Sequence, residues 1–275
     1  MKTPHALTVP TTLGPLHVQD AGPADGPVAL LWPSLYSDGD TSWGAQLGSL
    51  HALGWRTLLV DPPGTGGSAS ASRRFTMEEC GEAALRVLDD AGVDQAVFFG
   101  LSWGGIVALR VALTAPRRVT ALVLSNTTAR GVGLRERLQV RVTSLLTRIG
   151  IPGGLGRLVV AGMLSDHSRR HDAGLASELA ATVDSLDRAG LARAARSVLG
   201  DRTDVVGALH RITAPTLVIV GAEDKALPQA PHSDDLAERI VGARLEVLPR
   251  VAHLSPREEP AKVANLIKEF LAPLG

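Results

Sequence analysis

The 275-residue sequence has one cysteine, few aromatic residues (3%) and no surplus of either charge. A lone cysteine, Cys80, excludes an intramolecular disulfide and any cysteine-based zinc site. It reads as a small buried residue in a reducing compartment. Lys plus Arg and Asp plus Glu are 28 each, giving a formal net charge of zero. General nucleic-acid binding rests on a positive surplus, so no nucleic-acid partner is expected. Apolar stretches such as Val97-Phe98-Phe99 are far short of the roughly 20 residues of a membrane span. Met1-Lys2-Thr3-Pro4-His5 leads into no apolar segment of the kind a signal peptide needs. A cytoplasmic protein without a membrane partner is expected. The 45% apolar and 20% charged content can build a core, and the length suits one large α/β domain or two small ones.

Short β-rich runs alternate with helix-length amphipathic segments, the pattern of a mostly parallel sheet flanked by helices. Strands are expected at His5–Val9, Gly14–Asp20, Val28–Trp32, Arg56–Val60, Gln95–Phe99 and Thr120–Leu124. Helices are expected at Thr76–Ala91, where Thr76 and Glu79 are spaced as a capping box, and at Trp103–Thr114. From Thr127 to Leu209 the rhythm breaks. That stretch is helical or loop-like, with a loop signal at Ile151-Pro152-Gly153-Gly154 and a helical run near Ala173–Leu199. It has no Phe, Trp or Tyr, and its twelve arginines against eight acidic residues leave +4. The alternation resumes with strand Thr216–Val220, helix Asp234–Val241, strand Arg244–Leu248 and helix Pro260–Leu271. The expected organisation is a core of residues 1–126 and 210–275 interrupted by a helical insertion at 127–209.

Gly100-Leu101-Ser102-Trp103-Gly104 matches G-x-S-x-G between an apolar strand and a helix, the setting this motif requires. The sharp turn leaves no room for side chains beside Ser102, hence glycine at 100 and 104. The following helix aims free N–H groups and its positive dipole end at developing negative charge, and the Trp103 amide becomes one oxyanion donor. With these residues the chain resembles the α/β-hydrolase superfamily over nearly its whole length. The resemblance implies an α/β-hydrolase fold with an inserted helical cap and the chain order serine, acid, histidine.

A serine hydroxyl needs an adjacent base oriented by a buried carboxylate. In the resemblance the acid follows strand Thr216–Val220, where Asp224 fits and Glu223 is its neighbour. Some members place the acid after the preceding strand, but Ser125 and Asn126 stand there, with no carboxylate. The base belongs after the last strand, and of eight histidines only His253 lies there. His167 and His171 have the spacing of a metal pair, but no third ligand is evident and a solvated helix face is expected.

Relatives usually carry His-Gly before the second oxyanion donor, and here Pro33-Ser34 replaces it. Leu35 becomes the donor, with Ser34 one position early as its rival; proline has no N–H to give. The segment Pro33-Ser34-Leu35-Tyr36 is closer to 3-oxoadipate enol-lactonase-like members, which also lack His-Gly. Asp61-Pro62-Pro63-Gly64-Thr65-Gly66-Gly67-Ser68 reads as a structural turn, since it lacks the lysine of a phosphate-binding loop.

The insertion is expected to wall a substrate pocket with aliphatic residues such as Leu145, Leu146, Val159, Met163 and Leu164. Trp32, Tyr36 and Trp103 are expected to add aromatic contact, and Ser34, Tyr36 and Arg130 to touch substrate. Arg130 lies where enol-lactonase-like relatives carry an arginine at the cap entrance. The implied activity is hydrolysis of a small-molecule carboxylic ester or lactone without metal or organic cofactor. Alternatives are a carbon–carbon bond hydrolase of a β-diketone-type substrate and a non-catalytic ligand-binding protein of this fold.

Overall fold

The computed structural model describes residues 2–150 and 154–274; of the expected loop at 151–154, only Gly154 lies among them. The first half runs β1 (Lys2–Thr11), β2 (Gly14–Gly22), β3 (Val28–Trp32), α1 (Gly39–Ala52), β4 (Arg56–Asp61), α2 (Met77–Asp90), β5 (Ala96–Leu101), α3 (Trp103–Thr114) and β6 (Val119–Ser125). Then come α4 (Leu134–Ile149), α5 (Leu155–Met163), α6 (Asp166–His171), α7 (Ala173–Ser185), α8 (Arg188–Ala195) and a π-helical turn, Arg196–Gly200. The last part is β7 (Thr216–Gly221), α9 (Asp234–Arg239), β8 (Arg244–Leu248), α10 (Ser255–Glu258) and α11 (Pro260–Leu271).

The eight strands form one sheet in the order β1-β2-β4-β3-β5-β6-β7-β8. The β1–β2 and β2–β4 pairings are antiparallel, and from β4 to β8 every pairing is parallel. A parallel strand covered on both faces needs apolar residues on both, which is why β5 reads as an unbroken run. Phe98 enters the core layer shared with Met77 and Ile106 of α2 and α3. Phe99, one residue on, enters the opposite layer with Trp43 of α1 and Val263 of α11. Thr76 caps α2 as its spacing requires: its Oγ1 accepts the Glu79 N–H at 3.1 Å, and Glu79 Oε2 accepts the Thr76 N–H at 2.8 Å.

Two local outcomes differ from the sequence reading. Helix α1 is not expected from sequence, since glycines at 39, 44 and 48 lower its intrinsic propensity. Tertiary contacts hold it instead: Trp43 is fully buried, edge-on to Phe99, and its Nε1–H donates to Trp32 O at 3.0 Å. Helix α9 stops two residues before the expected Val241, because Ile240 leaves helical backbone to bury itself in the core.

All the parallel strands direct their C-terminal ends to one edge of the sheet, where the loops after β3, β5, β6, β7 and β8 meet. That edge is where an open α/β sheet places a site. Helices α4 to α8, all supplied between β6 and β7, lie in the same connection.

Candidate active site

Ser102 joins β5 to α3 with φ 52° and ψ −106°, a strained backbone for a residue with a β-carbon. Neighbouring backbone holds it there: its N–H donates to Ser125 O at 2.9 Å, and its carbonyl accepts from Thr127 Oγ1 at 2.6 Å. The tightness explains the flanking glycines. A β-carbon at position 100 would stand 2.3 Å from Gly104 C, and one at position 104 would stand 2.0 Å from Trp32 O.

Asp224, in the loop after β7, is buried, whereas Glu223 is exposed, which separates the two candidate acids. Asp224 Oδ1 accepts the N–H groups of Ala226 and Leu227 at 2.9 and 3.0 Å. Oδ2 lies 2.8 Å from His253 Nδ1 and accepts from Asn126 Nδ2 at 2.9 Å. Burial pushes this carboxyl pKa upward, but His253, the Leu227 amide and Asn126 together outweigh it and hold it below the ordinary carboxylate value. His253 is buried on the loop after β8, its N–H donating to Met163 O at 3.0 Å. Glu258 braces that loop on both sides of His253, accepting the N–H groups of Ala252 at 3.0 Å and Leu254 at 3.3 Å.

Asn126 and Glu258 are supporting residues that sequence reasoning misses. Position 126 reads from sequence only as a place for an acid. Asn126 instead ties three loops together, donating to both Asp224 and Ala252 O (2.9 Å) while its own N–H donates to Ile219 O at 2.8 Å. Its φ of 46° is tolerated better by asparagine than by most residues. Asn126→Ala is expected to cost about 3 kcal/mol, from an unpaired buried carbonyl plus left-handed backbone strain. Urea unfolding at neutral pH checks it. The sign of the pH effect follows from the depressed carboxyl. A folded pKa below the unfolded value stabilises the protein above the unfolded pKa, and that stability is lost as pH falls through the folded one. Removing Asn126 raises the folded value, so the acid-unfolding midpoint should move to higher pH.

The loop after β3 faces Ser102. The Ser34 N–H is taken by Ser42 Oγ at 3.2 Å, and the Gly104 N–H by Pro33 O at 3.1 Å. The Leu35 and Trp103 amides take part in neither bond. The Ser34 N–H is thus already engaged, whereas the Leu35 N–H has no partner among the described residues.

Ser34, Leu35, Tyr36, Ser102 and His253 all line one cavity of about 170 Å³. Burial pushes the Tyr36 phenol up to about 12, so it stays protonated across the working pH range. Met163 at the end of α5 also lines it, as expected. Four expectations are corrected. Leu145 and Leu146 are 59% and 45% exposed on the outer side of α4 and do not reach the cavity. Val159 and Leu164 are buried in the core layer behind it. Trp32 and Trp103 are fully buried and pack edge-to-face at 5.9 Å beneath the site, because their bulk completes the core. Arg130 turns away to pair with Asp235 at 2.6 Å.

The cation at the cavity is Arg202, which sequence reading does not single out. Its guanidinium is fixed by carbonyls alone: Nε donates to Arg130 O at 3.0 Å and Nη1 to Val198 O at 3.1 Å. It forms no ion pair with a described residue. Burial lowers its pKa, yet a guanidinium remains charged at neutral pH. His232 beside it, hydrogen-bonded to Thr128 Oγ1 at 2.9 Å, is driven toward its neutral form by burial, with Arg202 and Arg130 acting in the same direction.

Two other motifs resolve as structure. Ser68 Oγ donates to Asp61 O at 2.6 Å, and Asp61 accepts the N–H groups of Gly39 and Gly67, so the glycine-rich turn is held by its own carboxylate. His167 and His171 stack at 4.3 Å on α6. Among the described residues no group of three or more His, Cys, Asp or Glu is placed to hold a metal ion.

A mostly parallel eight-stranded sheet, with a serine on the strained turn after its fifth strand and an aspartate–histidine pair on later loops, defines an α/β-hydrolase fold. The chain belongs to the Alpha/beta hydrolase family, whose model matches residues 29–266. A hydrolase from Pseudomonas aeruginosa PA01 is 30% identical, with a TM-score of 0.87 and coverage of 97% of this chain and 98% of that one. 3-oxoadipate enol-lactonase 1 of Acinetobacter baylyi is 26% identical over 97% of both chains. A 2-hydroxy-6-oxononadienedioate/2-hydroxy-6-oxononatrienedioate hydrolase of a Pseudomonas species is 27% identical over 94% of this chain and 92% of that one.

Proposed function

We propose that this chain is a serine hydrolase of small carboxylic esters or lactones that carry an anionic group near the scissile carbonyl. The carrying observation is that Ser102, on its strained turn, opens onto the same cavity as His253, whose Nδ1 is held by Asp224. Ser102 Oγ attacks the carbonyl carbon while His253 Nε2 takes its proton. The Asp224 carboxylate keeps the Nδ1–H tautomer and offsets the positive ring. The oxyanion accepts the Leu35 and Trp103 N–H groups, and Pro33–Leu35 is tied to the elbow through Gly104. His253 then protonates the leaving alkoxide, which in a lactone stays tethered to the acyl chain. Water, deprotonated by His253, releases the acid.

Residues 127–209 serve as a cap over this core of 1–126 and 210–275; Met163, Val198, Leu199 and Arg202 bring that segment to the cavity wall. Arg202 takes the role that the sequence assigns to Arg130. Glu136 acts on Arg202 only at a distance, without forming an ion pair, so the partly buried guanidinium has no direct counter-ion and a substrate carboxylate supplies one. The test compares monoethyl succinate with ethyl butyrate, esters of similar length that differ in charge. Arg202→Gln is expected to raise KM for the hemi-ester by about thirtyfold while leaving the neutral ester nearly unchanged. An unaltered ratio between the two substrates would remove Arg202 from recognition.

A second reading, cleavage of a carbon–carbon bond in a vinylogous ketone, draws support from the 2-hydroxy-6-oxononadienedioate hydrolase relative. The same serine, histidine and aspartate would serve it. Product mass after turnover separates the two, because a lactonase opens a ring and leaves the carbon skeleton whole.

A further inference from the structure

Helix α4 is turned inside out. At about 100° per residue, Leu134, Leu138, Val142, Leu145, Leu146 and Ile149 share an arc of about 120°. An apolar arc of that width normally faces the core, yet here it faces outward. Leu134 is 85% exposed, Leu138 63% and Ile149 68%. The side the helix turns to the protein carries Ser144 and Thr147, both buried. Six large apolar side chains on one outward face need an occupant.

The charges around the face say which. Arg137, Arg141 and Arg148 fall in a narrow band just beside the apolar arc, and Arg135 lies within it. The single acid of the helix, Glu136, is engaged at its start, accepting the Gly133 N–H at 2.8 Å. Beside the face, a cleft of about 330 Å³ opens between α4 and α8, lined by Arg74, Arg141, Arg148, Arg193, Arg196 and Leu145. Arg74 pairs with Asp201 at 2.7 Å and Arg193 lies 3.9 Å from Asp187. Arg141, Arg148 and Arg196 form no ion pair with a described residue. An apolar arc beside unpaired guanidiniums matches an interface whose outer layer is anionic and whose interior is hydrocarbon. A second copy fits poorly, since two such faces together oppose eight arginines with two glutamates from α4 alone.

We infer that α4 and the arginine cleft beside it form a docking surface for an anionic lipid bilayer. The helix lies in the interface plane with its leucines among the acyl chains and the cleft around a headgroup phosphate. No helix among the described residues is long and apolar enough to cross a membrane, so this is contact with a surface and not a span. It departs from the sequence expectation of no membrane partner, and it stands apart from the catalytic reading. The cavity is nonetheless close: α4 rests on the π-helical turn, where Val140 Cγ1 is 3.2 Å from where a β-carbon would sit on Gly200, and Val198 and Leu199 of that turn line the cavity.

The experiment is flotation of the full chain with vesicles of phosphatidylcholine alone or mixed with phosphatidylglycerol, at low and raised salt. Binding is expected only to the mixed vesicles and should weaken with salt. Arg141→Gln with Arg148→Gln should lower partitioning by about thirtyfold. Leu138→Glu with Leu145→Glu should abolish it, while circular dichroism and hydrolysis of a soluble ester stay unchanged. Failure to bind, or equal binding to both vesicle types, overturns the inference. So does a dimer in analytical ultracentrifugation that the leucine variant dissociates, which would assign the face to a second copy.

Discussion

Ser102→Ala should keep its fold and lose about 10⁶ in kcat toward p-nitrophenyl esters. The fold survives because the turn is held by backbone atoms: Ser102 N–H on Ser125 O and Ser102 O on Thr127 Oγ1, both retained by alanine. Activity goes because no other hydroxyl replaces the nucleophile. Ser68 is committed to Asp61 O and Ser34 to Leu35 O, so neither is free to attack. A fluorophosphonate probe should add its mass to the wild-type peptide containing Ser102 and leave the variant unlabelled. Esterase activity surviving in the variant would refute the proposed site. If the alanine variant also loses its melting transition, Ser102→Cys separates folding from chemistry, since it preserves side-chain volume and supplies a thiol nucleophile.

Gly104→Ala should be strongly damaging. Its β-carbon would stand 2.0 Å from Trp32 O, a backbone atom of a central strand that has no room to retreat. The cost expected is about 3 kcal/mol, read as a fall in the urea midpoint. A further effect follows from geometry. Gly104 N–H reaches Pro33 O at 3.1 Å and so sets the spacing between the Leu35 and Trp103 amides. Forcing that contact apart should cut kcat for any ester still turned over by the folded fraction. The matched control is Gly48→Ala, on the exposed side of α1, where a β-carbon meets nothing within 4 Å. That change should leave activity alone and add about 0.5–1 kcal/mol of stability, since glycine inside a helix costs that much. Equal behaviour of the two variants would show that the elbow tolerates the methyl and that the spacing argument is wrong.

Much of the molecule is legible in short stretches of chain. Most of the parallel strands announce themselves as apolar runs bounded by turns, as Val28–Trp32 does, and the more polar Arg244–Leu248 also falls where the alternation of strands and helices puts it. The Thr76 capping box and the serine between strand and helix are signals carried within five residues. Asp224 and His253 are located by the chain order that the α/β-hydrolase resemblance implies, and folding brings them to 2.8 Å.

What depends on neighbours distant in sequence is not legible. Helix α1 has poor propensity and exists because Trp43 fits between the sheet and Trp32 O. Asn126 acquires its importance from two loops about a hundred residues away, which no local pattern encodes. Arg130 and Arg202 are alike as sequence, and the difference is that Asp235 stands within reach of one and not the other. Helix α4 is the clearest case. Periodicity fixes that its apolar residues share a stripe, because 3.6 residues per turn is a property of the backbone. Which way the stripe faces depends on what the rest of the chain leaves available to cover it. Here Val140, Ser144 and Thr147 meet the protein and the leucines meet solvent. The sequence by itself thus determined the strands, their order and the serine, aspartate and histidine candidates, but not α1 or the residues that support them. Only tertiary structure decided which charges are paired and which apolar face is left uncovered, since pairing and burial belong to surfaces that meet in space.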